Sequence, residues 1–296
     1  MKQVETILMI FAATTAAFGQ TYVSAATGND TAICGRTNPC KTFARAALFT
    51  PVGGQITVLD AGDYGSVTIT QPVTIEGSNL AQNVTTSGTA ITVQTSATGV
   101  VHLRNLSIKG NGGVWGVGWL SGAQLVLENV KVTGTTSGCV SAAVSGTTSA
   151  DLVIKDSSFD NCPDAIEVFG SAITAEISNT QVHYTQIALQ AGNGYITVTG
   201  SNFSNPQAYG TGNGIMTEGE PSGTSPVIMI DNCQISGFKY GVLANANTTI
   251  QVSRSNISFT TYGVYAAAGA TLLSNGNNTF LGNTNAGSFT GTVIPN

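Results

Sequence analysis

The sequence contains little charge. Among 296 residues there are 10 Lys and Arg and 15 Asp and Glu, so charged residues make up 8% and the formal net charge is −5. An ordinary globular domain carries about 25% charged residues. So few charges argue against a long helical fold held by charge pairs. The negative balance argues against the basic surface that a nucleic-acid-binding protein needs.

Long apolar runs are also missing. The longest, residues 7–19, has 13 residues, whereas a membrane span needs about 20. It follows Lys2 and ends in the small residues Ala17 and Gly19, which is the pattern of a cleaved export signal. We therefore expect residues 1–19 to be a signal peptide, with an N-terminal membrane anchor as the alternative. The mature chain is expected to contain no membrane span.

What the sequence has instead is a weak repeat of 21–32 residues. Each copy carries an apolar residue two positions before a polar anchor and another three positions after it, an alternation typical of a half-buried strand. A second apolar segment follows with the same period and predicts a second strand. The anchors are Asn105, Asn129, Asp156, Asn179, Gly200, Asn232 and Arg254. The second strands are centred on Val117, Val140, Ile166, Ile187, Ile215, Val242 and Val264.

This repeat predicts an all-β solenoid rather than leucine-rich repeats, because the spacers are Gly, Ser, Thr and Asn instead of helix formers. Parallel strands of successive coils then lie about 4.8 Å apart, and like side chains stack. We expect a single β-helix of roughly nine coils over residues 53–296, with the anchor asparagines forming an amide ladder. Residues 20–52 are expected to cap its N-terminal end with a short helix over residues 43–49, for which Thr42 is the N-cap.

The N-terminal segment resembles a known family. The stretches Thr21-Tyr22-Val23-Ser24, Gly28-Asn29-Asp30, residues 38–43 and residues 54–64 are similar to the entrance of secreted right-handed parallel β-helix proteins of the pectin-lyase-like fold. The resemblance covers nearly all of the mature chain. It implies right-handed winding and action on polysaccharides. The catalytic segments of polygalacturonase-type relatives, and the Trp-Ile-Asp-His segment of pectate lyases, are absent from this sequence.

The five cysteines fit an oxidising compartment. Cys34 and Cys40 bracket a short loop, and we expect a disulfide between them. Cys139, Cys162 and Cys233 occupy different phases of the repeat, so their pairing stays open. At least one thiol is unpaired in a monomer, and we interpret Cys233 as a small buried core residue.

A cluster of carboxylates lies on one coil and includes Asp156, Asp160, Asp164 and Glu167. Carboxylate oxygens are ligands for Ca²⁺. Lyases of the resembling family hold acidic sugars through bound Ca²⁺, so the resemblance implies a calcium site at Asp160, Asp164 and Glu167. The alternative is a solvated acidic turn.

The candidate catalytic residues are His183, Asp160 and Lys239, because elimination or hydrolysis needs a base and an acid near the scissile bond. His183 lies four residues after the anchor Asn179, and Asp160 lies four residues after the anchor Asp156. The two side chains are therefore expected to stack on neighbouring coils. The alternative is an exposed surface pair.

Tyrosines provide the candidate binding surface. Tyr240 and Tyr262 occupy equivalent positions one coil apart, Tyr265 follows three residues later, and Tyr184 is close to the same column. A row of exposed rings suits the stacking of sugar units, and the alternative is self-stacking that covers the solenoid. Trp119 lies two residues after the strand centre Val117, so its side chain is expected to point inward into the core.

One further column, Arg104, Glu128 and Lys155, alternates in sign and is interpreted as a surface charge ladder.

Taken together, these features predict an exported, monomeric β-helix protein that engages extracellular polysaccharide along its outer face. The catalytic form of this hypothesis is a polysaccharide lyase or a glycoside hydrolase, with Ca²⁺ as the candidate cofactor. The alternative is a non-catalytic surface protein, such as an adhesin or a matrix component. Neither a nucleic acid nor a membrane is an expected partner.

Overall fold

A computed structural model shows how the repeat folds. The predicted signal peptide lies outside the described residues except for Gly19, and no helix of the described part is both long and apolar enough to cross a membrane. The described residues are 19–79, 81–84, 87–145, 149–170, 173–206, 210–219 and 225–293.

Three long sheets of parallel strands form the body of the molecule. In each turn the chain passes through sheet 1, sheet 2 and sheet 3 in that order, which confirms the predicted all-β parallel β-helix. Within the described residues, sheet 1 has 12 strands, sheet 2 has 10 and sheet 3 has 9, and the smallest of these numbers is close to the predicted number of coils.

The strands of sheet 1 are Gln20–Val23, Gly54–Val58, Val73–Glu76, Val100–Arg104, Gln124–Glu128, Ala150–Lys155, Ile173–Ser178, Tyr195–Thr199, Val227–Asp231, Thr249–Ser253, Thr271–Ser274 and Gly291–Thr292. The strands of sheet 2 are Gly62–Asp63, Ala81–Val84, Ser107–Lys109, Lys131–Thr133, Ser158–Asp160, Gln181–His183, Asn202–Ser204, Gln234–Ser236, Asn256–Ser258 and Thr279–Leu281. The strands of sheet 3 are Val67–Ile69, Thr89–Gln94, Trp115–Ser121, Gly138–Ala142, Asp164–Val168, Ile187–Ala191, Thr211–Thr217, Phe238–Ala244 and Tyr262–Ala266.

Each repeat has three strands where the sequence pattern predicted two. The reason is the anchor residue, which lies at the corner between sheet 1 and sheet 2 and not inside a strand. The seven anchors have positive φ values between 45° and 57°, a left-handed conformation that bends the chain within one residue. The alternation of buried residues shifts by one residue at this bend, as at Arg104 and Asn105, which are both not buried, and it resumes at Leu106. The pattern read as one strand is therefore two.

The interior is a continuous apolar column, as predicted. Val140, Ile166 and Val242 stack in sheet 3 and are all 0% exposed, and Trp119 is fully buried as well. Each such side chain stabilises the fold by about 1.5–3 kcal/mol relative to an exposed one. The low charge content follows from this architecture, because a thin rod of strands buries one side chain in two along most of its length.

Polar ladders connect successive turns on the outside. The Asn129 side-chain amide donates to Asn105 Oδ1 at 2.7 Å, so the predicted amide ladder forms there. Asn179 continues it by donating to Asp156 Oδ1 at 2.5 Å. The charge ladder is confirmed too: Glu128 bridges Arg104 at 3.2 Å and Lys155 at 2.9 Å.

The N-terminal segment packs against the first turn. Its helix, α1 (Phe43–Phe49), begins at the predicted N-cap, where Thr42 Oγ1 accepts a hydrogen bond from the Arg45 amide at 3.1 Å. Asp30 accepts from the Lys41 and Thr42 amides and so fixes the chain just before the helix.

A second carboxylate, Asp60, holds together the other stretches of the entrance that resemble the family. It accepts hydrogen bonds from the Ser24 hydroxyl, the Ala25 amide at 2.8 Å and the Tyr64 hydroxyl at 2.6 Å. Burial raises the pKa of Asp60, but these hydrogen bonds outweigh it, and the net pKa is lowered. The family-like entrance residues therefore have a structural role in joining the first strand to the first turn.

Two disulfides are present. One is the predicted Cys34–Cys40 bond, and the other joins Cys139 to Cys162, which lie on neighbouring turns. Cys233 is free and buried, as expected. Burial raises the pKa of the Cys233 thiol to about 11, so it is unreactive at neutral pH.

We predict that the Cys139–Cys162 bond stabilises the rod. It closes a segment with a sequence separation of 23, and removing it as Cys139→Ala/Cys162→Ala should lower the free energy of unfolding by about 3 kcal/mol through greater chain entropy of the unfolded state. Chemical denaturation measures this loss, and Cys233→Ala, which keeps both disulfides, is the control with a smaller loss. In a thiol assay without reductant, the wild type should react once per chain when unfolded and not at all when folded. Three reactive thiols would contradict the pairing.

Candidate functional site

The outer face of sheet 3 carries two columns of side chains that run along the rod. Strand register aligns them turn by turn, so residues far apart in sequence become neighbours about 4.8 Å apart. The first column contains Trp115, Gly138, Asp164, Ile187, Asn213, Tyr240 and Tyr262. The second contains Gly118, Ser141, Glu167, Gln190, Met216, Leu243 and Tyr265.

A pair of carboxyl groups lies in the middle of this face. Asp164 and Glu167 are on the same strand, are partly exposed, and hydrogen-bond each other. Burial, the charge of Asp164 and this hydrogen bond raise the pKa of Glu167 to about 7. Burial is also the main reason that the pKa of Asp164 is raised. At pH 7 about half of the molecules therefore have a protonated Glu167, which donates its proton in a hydrogen bond to Asp164.

The negative charge of Glu218 adds to both effects, because it raises the pKa of Asp164 and of Glu167 further. Ser141, on the preceding turn, acts in the other direction through a hydrogen bond to Glu167. The result is a carboxylic acid that is protonated at a pH where an ordinary glutamate is ionised. Such a group can act as a general acid.

Aromatic rings lie on both sides of the pair. Towards the C-terminal end, Tyr240 and Tyr262 stack with their centroids 5.1 Å apart and 15° between the rings, and Tyr265 packs against both. Tyr262 and Tyr265 also line a cleft of about 450 Å³ beside Phe289. The predicted tyrosine row is therefore a compact cluster that is partly open to solvent.

Towards the N-terminal end, Trp115 is the flanking ring. It is partly exposed, and any Cβ added to Gly138 on the next turn would collide with it, so the ring leans over Gly138 towards Asp164. Six strand spacings, or about 29 Å, separate Trp115 from Tyr262 along the column. The acid pair thus lies within an aromatic-flanked face long enough for several sugar units.

Tyr184 lies apart from the other tyrosines. It occupies the corner between sheet 2 and sheet 3 with a φ of 56°, and its nearest ring neighbour is His183, at a centroid distance of 6.4 Å. Tyr184 is 41% exposed. The row of four tyrosines expected from the sequence is therefore a cluster of three and a separate ring at the corner.

The three candidate catalytic residues are not brought together. Asp160 and His183 are neighbours in sheet 2, in the expected register, but His183 Nδ1 pairs with the Ser204 hydroxyl at 2.6 Å and no hydrogen bond or ion pair joins it to Asp160 among the described residues. Lys239 is on sheet 3, with its Nζ 5.2 Å from the Tyr240 ring centroid. Their catalytic role stays a prediction.

The expected calcium ligands are also divided. Asp164 and Glu167 face outwards from sheet 3, whereas Asp160 ends a strand of sheet 2 on the other side of the corner. No group of three or more His, Cys, Asp or Glu side chains suited to a metal occurs in the part of the chain that the structure describes. The residues named for calcium therefore do not fit such a site together.

Sequence reasoning missed Trp115 and Glu218. Trp115 had the signal that could have found it, since it lies two residues before the strand centre Val117, as Tyr240 and Tyr262 lie before theirs. Glu218 had no such signal. It follows the last residue of the sheet 3 strand Thr211–Thr217 and does not occupy the repeat position of Asp164 or of Glu167.

The sequence profile of the family described as "Right handed beta helix region" matches residues 142–292. The chain belongs to this family of right-handed β-helix proteins, and the resemblance to the pectin-lyase-like fold is confirmed. A search of the curated proteins found no match.

Solved structures with the same fold include pectate lyase Pel9A, with a TM-score of 0.73 and 11% identity over 93% of this chain and 78% of that one. XylC in complex with xylose has a TM-score of 0.53 and 8% identity, and the match covers 88% of this chain and 68% of that one. At these identities the likeness shows the fold and nothing more.

The protonated state of Glu167 makes the stability of the protein depend on pH. Its ordinary pKa is 4.5, and its pKa in the folded protein is about 7, so between these values the folded chain binds more protons than the unfolded chain and stability falls as pH rises. Glu167→Gln removes the charge that burial disfavours. Above pH 7 the variant should be more stable than the wild type by about 1–2 kcal/mol, after allowance for solvent screening at this partly exposed site.

Urea denaturation at several pH values measures this difference, which should vanish below pH 4.5. The matched control is Glu176→Gln, an exposed carboxylate on sheet 1, for which we expect no pH-dependent gain. Equal behaviour of the two variants would contradict a raised pKa at Glu167.

Proposed function

We propose that this chain is an exported protein that binds polysaccharide along the outer face of sheet 3. One observation carries the proposal. Trp115, the Asp164–Glu167 pair and the tyrosine cluster follow one another along the rod on the outer face of sheet 3. Sugar rings stack on aromatic faces, and their hydroxyl groups pair with carboxyl groups. A chain of sugars laid along the rod meets both.

The disulfides and the structures that share the fold support this proposal. Two disulfides suit an oxidising compartment outside the cytosol, where extracellular polysaccharides occur. A pectate lyase and a protein crystallised with xylose share the fold, and their names associate it with carbohydrate. The separate signal-peptide and cap segments stay predictions that agree with export.

The face also favours one kind of chemistry if the bound chain is cleaved. With a pKa of about 7, Glu167 is protonated in a substantial fraction of the molecules near neutral pH, and this proton can be given to the leaving oxygen of a glycosidic bond. Asp164 hydrogen-bonds it directly, whereas the two carboxyl groups of a retaining glycosidase stand about 5–5.5 Å apart. Asp164 is therefore a positioning residue that keeps the proton on Glu167.

A non-catalytic surface protein is the second candidate. It is favoured because, in the part of the chain that the structure describes, no hydrogen bond joins His183 to its neighbour Asp160, and Lys239 lies on another sheet. Among the described residues, the Asp164–Glu167 pair is therefore what remains as an acid set on these sheets. In this case the same aromatic face would hold the polysaccharide without cleaving it.

Binding should depend on the tyrosine cluster. Tyr262→Ala removes one stacked ring and should weaken binding of a recognised polysaccharide by up to about tenfold, the effect of one aromatic contact. Affinity electrophoresis against panels of neutral and uronic polysaccharides measures this loss. Tyr195→Ala, which removes a 63% exposed ring from the outer side of sheet 1, is the matched control and should bind normally. A parallel loss in both variants would place the binding surface elsewhere.

Cleavage is tested with the polysaccharides that bind. If the protein is an enzyme that uses Glu167 as the acid, Glu167→Gln should lower the release of reducing ends by a factor of about 10² or more, while Glu176→Gln stays active. Ultraviolet absorbance of unsaturated products, with and without Ca²⁺, tests lyase activity in the same samples. If no polysaccharide that binds is cleaved, the non-catalytic candidate is retained.

A further inference from the structure

A second concave surface lies at the corner between sheet 2 and sheet 3, beside the proposed polysaccharide face. It is a trough with a volume of about 330 Å³ that extends over four successive turns. We call it the corner trough. The residues that define it are Thr135, Asn161, Tyr184, Thr185, Gln186 and Asn205.

Three side chains of the corner trough contain polar atoms without a partner. Thr135, Thr185 and Asn205 are 5%, 2% and 2% exposed, and no hydrogen bond from the described residues reaches Thr135 Oγ1, Thr185 Oγ1 or Asn205 Nδ2. Buried polar groups in folded proteins are almost always hydrogen-bonded, because an unpaired one loses its interactions with water and gains nothing. Three such groups in one trough call for an explanation.

An equivalent corner of the same protein can be compared with the corner trough. Thr260 occupies the same corner position as Thr185 three turns later, as the strand register shows. Its amide and its hydroxyl both pair with Asn283 Oδ1 on the following turn, at 3.0 and 2.8 Å. A corner threonine is therefore satisfied when the next turn supplies an acceptor.

The corner trough lacks that acceptor. By the same register, the next-turn counterpart of Thr185 is Pro206, and the counterpart of Thr135 is Cys162, whose sulfur is held in a disulfide. Neither side chain can take the place of Asn283. The three polar atoms are thus buried just beneath the lining of the trough without a partner in the described part of the chain, which is where a bound ligand with its own donors and acceptors would compensate them.

The lining indicates which ligand. No charged side chain lines the trough, so an acidic or basic ligand would find no opposite charge there. The lining combines hydroxyl and amide groups with the exposed ring of Tyr184, a combination that suits a neutral ring bearing several hydroxyl groups. Pro163 and Gln186 of the lining directly precede Asp164 and Ile187 of the sheet 3 face, so the two surfaces adjoin.

We propose that the corner trough is a separate subsite for one neutral sugar unit, such as a branch of a polysaccharide lying on sheet 3. This inference deepens the proposed function. The assignment of the bound sugar to a branch rests on the proposed polysaccharide binding at sheet 3. The subsite itself depends only on the trough.

The test uses free D-glucose, D-galactose and D-xylose as probes, observed by saturation-transfer NMR on the full chain. Wild type should give a signal with at least one of them, and Tyr184→Ala and Thr185→Val should each reduce it several-fold. The matched controls change the equivalent corner, Phe259→Ala and Thr260→Val, and should keep the signal. D-Glucuronate, which is charged, should bind more weakly than the neutral sugars.

Thermal unfolding adds a readout that needs no ligand. Thr185→Val removes an unpaired hydroxyl and should melt at the wild-type temperature or above it, whereas Thr260→Val breaks a formed hydrogen bond and should melt lower. A Thr185→Val variant that binds like wild type, or a wild type that binds none of the three sugars, overturns the subsite.

Tyr262→Ala separates the two proposals. If Tyr262→Ala weakens polysaccharide binding and leaves the monosaccharide signal intact, the trough is a subsite distinct from the sheet 3 face, as proposed. If Tyr262→Ala has no effect on polysaccharide binding while Tyr184→Ala abolishes the monosaccharide signal, the sheet 3 function fails and the trough remains a sugar site. A monosaccharide signal that depends on Tyr262 but not on Tyr184 would overturn the subsite.

Discussion

The regular part of the rod, from Asn105 to Arg254, depends on one backbone conformation that recurs in seven successive turns. Between sheet 1 and sheet 2 the chain bends within a single residue whose φ is positive. Asparagine and glycine adopt this conformation at low cost, and Asn105 and Gly200 do so here. Arg254 adopts it as well, so the conformation and not the side chain defines the position. Because these seven turns bend alike, the strands on either side stay in register.

Register in turn creates the columns that carry chemistry. A side chain meets its neighbours at the spacing of parallel strands, about 4.8 Å, whatever the loops between them contain. This is how Trp115, Asp164 and Tyr262 come to share one face. Within one strand, neighbouring columns also place an acid beside another acid, as Glu167 is beside Asp164. The raised pKa of Glu167 is a consequence of burial and of that neighbour.

The corner between sheet 2 and sheet 3 follows the same rule with a different outcome. Where the next turn supplies an acceptor, as Asn283 does for Thr260, the corner is closed by hydrogen bonds. Where it supplies Pro206, the corner stays open and its polar groups unpaired. A solenoid can thus form a binding site by omitting one partner from a ladder, without a large loop.

The sequence by itself determined the parallel coils, the inward positions such as Val140 and Ile166, the capping helix and the Cys34–Cys40 bond, because these depend on local alternation, capping and short loops. It could not determine where the corners fall. Asp160 and Asp164 are four residues apart in the sequence, yet the bend at Asn161 places them on different sheets. A bend of the same kind at Tyr184 separates that ring from the tyrosine cluster. Strand register places Trp115 in the column of Asp164, and the fold brings Glu218 close to the acid pair. Only the tertiary structure decided these neighbours, because a side chain's direction at a corner depends on φ and on the length of each turn, and neither is written in the alternation of polar and apolar residues.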